Sequence, residues 1–119
     1  MSKRDPSHLL PLPSAAFHIL VSLADADRHG YSVMQEVAER TGGEVKLQAG
    51  TLYATLKKLL ADGLIRELDA RPGADQDDSR RRYYRLTPFG RDAVQAEARR
   101  LAELVRQARA SGLLLGPVK

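Results

Sequence analysis

Apolar residues recur at helical spacing in three short stretches and again, over a longer one, toward the C-terminus, with two strand-like runs between them. In the first stretch Ala16, Phe17, Leu20, Leu23 and Ala24 share one face, which predicts a helix capped by Ser14 and ended by the polar segment Asp25 to Gly30. A second helix is expected after Gly30-Tyr31-Ser32. There Ser32 and Gln35 have capping-box spacing, Val33, Met34 and Val37 face inward, and Gly42-Gly43 stop the helix. A third runs from about Ala49 to Ala61, carried by Leu52, Leu56, Leu59 and Leu60 and closed by Asp62-Gly63.

Leu64 to Asp69 and Arg82 to Thr87 read as strands, and the stretch between them, rich in Gly, Pro, Asp and Ser, makes them a hairpin with a long polar tip. Thr87-Pro88 supplies an N-cap and a first-turn proline for a last helix reaching Ser111-Gly112. The order helix, helix, helix, hairpin, long helix is mainly α with a small β-hairpin. It is the order of a winged helix-turn-helix plus a long C-terminal dimerisation helix, with the third helix as the recognition helix. The corresponding division is 1–8 tail, 9–87 winged domain, 88–111 dimerisation helix and 112–119 tail.

With 119 residues and 43% apolar content, the chain supports one small domain and an appendage. No apolar run approaches a membrane span, and Pro11 and Pro13 interrupt any secretory segment after the basic start, so a cytoplasmic location is expected. The absence of cysteine excludes disulfides and thiolate chemistry. His8, His18 and His29 lack ligand spacing, and Asp75, Asp77 and Asp78 lack the glycine and terminal glutamate of a calcium loop, so neither a metal nor a cofactor is expected. No catalytic motif points to an enzyme.

The formal charge is +4, and its distribution says more than its size. From Val45 to Ala61 there are Lys46, Lys57 and Lys58 and no acid, a local +3. From Ser79 to Arg91 there are Arg80, Arg81, Arg82, Arg85 and Arg91, a local +5. Such blocks commonly form a solvated face, but two flanking one fold feature make a footprint for the phosphates of double-stranded DNA. The hairpin tip, with Asp69, Asp75, Asp77 and Asp78 against Arg71, carries −3 and should repel phosphate. Candidate DNA-binding residues are therefore Lys46, Gln48, Gly50, Thr51, Tyr53, Thr55, Lys57, Lys58, Arg80, Arg81, Arg82 and Tyr84.

Gly50 suits either a close backbone approach or simple packing, and Tyr53 either a phosphate or the core. Tyr83 and Tyr84 point to opposite faces of their strand, so at most one is functional. On the last helix Phe89, Val94, Ala98, Leu101, Leu104, Val105 and Ala108 lie near one side. The stretch beyond Ala98 is expected to project and bury that side against a second copy, with folding back onto the first helix as the alternative. The expected dimer interface is Val94, Ala98, Leu101, Leu104, Val105 and Ala108.

Four pieces together, Gly30-Tyr31, Gly50-Thr51-Leu52-Tyr53-Ala54-Thr55-Leu56, Asp62-Gly63-Leu64-Ile65 and Arg82-Tyr83-Tyr84-Arg85-Leu86-Thr87-Pro88-Phe89-Gly90, resemble the PadR family of bacterial transcriptional regulators over roughly residues 9 to 110. The resemblance implies a homodimeric repressor that binds an inverted-repeat operator, often released by a small-molecule effector, with Thr51, Tyr53 and Lys57 facing DNA. Gln48 and Ala49 depart from the family's usual Ser and Pro, so the recognition helix starts without its common cap. The competing expectation is a winged-helix protein-protein interaction module whose basic faces bind an acidic protein.

Overall fold

The computed structural model describes residues 4–68 and 82–114. The helices are α1 (Ser14–Ser22), α2 (Gly30–Arg40), α3 (Ala49–Ala61) and α4 (Pro88–Ala110), and the strands β1 (Arg28–His29), β2 (Ile65–Leu68) and β3 (Tyr83–Leu86). A 3-10 turn, Pro6–Leu9, precedes α1. The sheet is antiparallel in the order β1-β3-β2, with Ile65 opposite Leu86 and Arg28 opposite Tyr84. This is the winged helix expected from the element order, with β1 as an addition.

Leu12, Ala16, Ile19, Leu20, Val33, Val37, Leu52, Leu56, Leu59, Leu64, Ile65, Leu86, Ala93 and Val94 form one core from all four helices and the hairpin. Two helix starts differ from expectation. Ser14 is the first residue of α1, behind an N-cap Pro13 that makes no side-chain bond. At α2 the cap is His29, whose ring nitrogen accepts the Ser32 N–H, while the Ser32 hydroxyl turns back to donate to the His29 carbonyl. Pairing of β1 with β3 fixes His29 in extended backbone immediately before the helix, which gives it the cap position ahead of Ser32.

The turn into α3 uses Gly42 and Gly43 at positive φ and a Thr41 hydroxyl that donates to Val37 O and accepts the Val45 N–H. At the far end of α3, Gly63 at φ +76 reverses the chain into β2. Thr87 caps α4 through Gly90 N–H and also donates to Gly63 O, tying that turn to the start of α4. Gly90 is obligatory here, because a Cβ would stand 1.9 Å from the Leu64 carbonyl oxygen. The hairpin and α4 are therefore docked against one another by backbone contact.

Candidate nucleic-acid interface

With Leu52, Leu56 and Leu59 committed to the core, α3 turns Gly50, Thr51, Tyr53, Ala54, Lys57 and Lys58 outward. This face contains no carboxylate. The N-cap Gln48 makes no side-chain bond to the helix, so the first-turn N–H groups remain open to an incoming acceptor. Lys46, just before the helix, is exposed as well. Among the described residues neither Lys46 nor Lys57 has a carboxylate partner.

The Tyr53 ring crosses the start of α2, where Gly30 provides the room: a Cβ there would lie 2.9 Å from the phenol oxygen. Gly30 and Tyr53 thus form one packing unit, and Tyr53 stays 53% exposed while bracing α3 against α2. Beside it opens a groove of about 500 Å³ lined by His29, Gly30, Tyr31, Tyr53, Lys57, Arg82 and Tyr84. Strand parity explains its far wall. Positions 82, 84 and 86 of the hairpin face the helices, whereas Arg85 faces away.

Tyr84, a DNA-facing candidate by sequence, shares that parity and lines the groove, but its burial leaves little of it to offer DNA. It is only 4% exposed and packs in the core beside Leu86, and burial raises its phenol above the ordinary value of 10.0. Tyr83, half-buried, stands edge-on to the His29 ring instead. Thr55 is half-buried and borders an apolar cleft with Leu9 and Leu12 rather than the groove, and Lys58, exposed at the edge of the outward face where it meets that cleft, is paired with Asp62 at 3.2 Å.

The hairpin arginines are less free than their charge count implies. Arg82 reaches into the groove but is held by both Glu67 oxygens at 3.0 and 3.2 Å. Arg85 makes two bonds to Asp27 on the outer side, at 3.0 and 2.7 Å. Arg91 donates to the Ala24 carbonyl. The run from Ser79 to Arg91 contains no acid, but these partners arrive from other segments of the chain. Arg80, Arg81 and the acidic tip lie outside the described residues.

On α4, burial ends with Glu97. Val94, expected at a dimer interface, is 7% exposed in the protein's own core, since the helix is still packed on the winged domain at that point. Beyond it Ala98 is exposed, Leu101 and Ala108 are half-buried, and Leu104 and Val105 are exposed at 47% and 36%. Among the described residues no helix is long and apolar enough to cross a membrane, and no group of three His, Cys, Asp or Glu could hold a metal ion.

Comparison with known proteins gives a family model, the transcriptional regulator PadR-like family, matching residues 19–96. The chain is 42% identical over 94 residues to the transcriptional regulator Rv3488 of Mycobacterium tuberculosis, covering 76% of this chain and 78% of that one. Among solved structures, a PadR family transcription regulator from Clostridium difficile superposes with a TM-score of 0.70 at 25% identity, over 82% of this chain and 97% of the other. Bacillus subtilis PadR in complex with operator DNA shares the fold with a TM-score of 0.58 at 20% identity, over 92% of this chain and 52% of that one. The matching family and these three proteins are all transcription regulators. The chain belongs to the PadR-like family of transcriptional regulators.

Proposed function

We propose that this protein is a sequence-specific DNA-binding regulator that lays α3 in the major groove of double-stranded DNA as a homodimer. The observation that carries the reading is the outward face of α3. It has no acid, it carries the unpaired Lys57, and it begins at an uncapped helix N-terminus. Gly50 and Thr51 then lie nearest the base edges, and Tyr53, Lys57 and Lys46 serve the phosphates on either side. The Bacillus subtilis relative was solved with operator DNA, which supports the same role for the shared fold.

Residues 9–87 are the DNA-reading unit on this reading, and 88–111 the pairing helix, through Ala98, Leu101, Leu104, Val105 and Ala108. Two copies related by a two-fold axis read an inverted repeat. Occupying such an operator at a promoter represses it, and a small-molecule effector that alters the dimer releases it. Selection of bound sequences from random DNA tests the proposal. Enrichment of a two-fold symmetric sequence is expected; no enrichment, with one acidic protein co-purifying stoichiometrically, contradicts it.

A further inference from the structure

Glu97 is the one buried charged residue among those described, 2% exposed, and it occupies the last buried position of α4 before that helix leaves the domain. Its carboxylate is fully engaged. Oε2 accepts the Leu12 backbone N–H at 3.1 Å, and the Arg100 guanidinium from the next turn reaches Oε1 at 2.6 Å and Oε2 at 3.0 Å. Leu12 belongs to the segment that precedes α1, and that segment also grips α4 nearer its start. The Pro6–Leu9 turn packs on α4, and the Arg4 guanidinium lies 3.9 Å from the Phe89 ring centre. The same segment borders the apolar cleft against Ala54, Thr55 and Leu59 of α3. A single strap thus touches both α4 and α3, and Glu97 is its anchor where α4 departs.

We propose that Glu97 is a positioning residue: by tying the Leu12 backbone to α4 at its exit point, it fixes the angle between α4 and the winged domain. In a dimer paired through α4, that angle sets the separation of the two α3 helices. Burying a carboxylate is costly unless every oxygen is satisfied, so the position is chemically demanding and an apolar residue would fill it more simply. A hydrogen-bonded pair, unlike an apolar contact, admits one register and one direction. The geometry also provides leverage. From Glu97 to Ala110 the helix runs about 20 Å at about 1.5 Å per residue, so a tilt of roughly 10° displaces its end by about 3 Å.

The inference rests on the dimer proposed above, and the test separates the two. The chain has no cysteine, so Ala61→Cys at the exposed end of α3 gives a single spin-label site per protomer in the full-length protein. Pulsed dipolar spectroscopy without DNA then reads the distance between the two α3 helices. In the otherwise unchanged protein one narrow distance is expected. Glu97→Gln, which keeps an acceptor for Leu12 but loses the ion pair, is expected to move its centre by about 3 Å or to double its width. If Glu97→Gln proves too unstable to measure, Arg100→Gln, which leaves the Leu12 bond in place, is expected to broaden the distribution in the same sense. An unchanged distribution in the folded variants overturns the positioning role and leaves the dimer standing. No intermolecular distance in the starting protein overturns the dimer, and the positioning role with it.

Discussion

Replacing Gly50 by alanine separates folding from DNA contact at one atom. The added methyl would meet nothing within 4 Å, and the backbone there is not left-handed, so alanine fits without strain. Alanine is favoured over glycine in a helix interior by about 0.5–1 kcal/mol, and a first-turn position should realise the lower part, about 0.5 kcal/mol. For a domain of this size that is a rise in melting temperature of about 2–4 °C. Against DNA the same methyl stands between the start of α3 and the groove floor, and about 1 kcal/mol of lost contact is roughly a fivefold loss of affinity. Gly90→Ala is the control with the opposite basis: its Cβ would overlap Leu64 O at 1.9 Å. Forced backbone movement of that kind costs about 1–3 kcal/mol or more. Thermal unfolding by circular dichroism and fluorescence anisotropy on the selected operator measure both effects. A destabilised Gly50→Ala protein, or one that binds DNA as tightly as its parent, refutes the placement of Gly50 at an open DNA-facing position.

Glu97 gives a pH dependence. The Arg100 hydrogen bonds, opposed by burial, hold its carboxyl below the ordinary 4.5, so its contribution to stability is full above that pH and is lost as the pH falls through the lower folded value. Glu97→Gln should flatten the stability curve below about pH 4.5 in acid titrations, and an unaltered slope would remove the ion pair from the account. Releasing Arg82 by Glu67→Gln should tighten DNA binding by about two- to fivefold at low salt, an advantage that disappears as salt screens it; no change at low salt would mean that Arg82 stays away from phosphate. Leu104→Glu combined with Val105→Glu should convert a dimer to monomers in sedimentation while leaving the fold intact, and a persisting dimer would place the interface elsewhere.

The helices and hairpin were legible because their apolar positions recur at the right period, and Thr87-Pro88 and Asp62-Gly63 mark their boundaries chemically. β1 was missed because two residues, Arg28 and His29, carry no periodicity; they are a strand only through pairing with β3. The inward side of β3 is readable from Leu86, which fixes Tyr84 on the same face two positions away, but a tyrosine in a basic run suits a DNA-facing role equally well by residue type. Partners that neutralise Arg82 and Arg85 come from Glu67 and Asp27 and leave no trace in a local charge count. Glu97 sits three and four residues beyond Val94 and Ala93, at core spacing, but its residue type suggests solvent. The burial of a charged side chain is set by what packs over it, here Leu12 from the opposite end of the chain.

The most direct test of DNA binding through α3 is the salt dependence of affinity for the selected operator, measured on the unchanged protein and on Lys57→Glu. Phosphate neutralisation predicts a steep linear fall of log K with log salt, about −0.9 per phosphate contact. For the variant it predicts weaker binding to every sequence and a slope smaller by about one contact per protomer. A flat response in the unchanged protein, or an identical slope in Lys57→Glu, would contradict it.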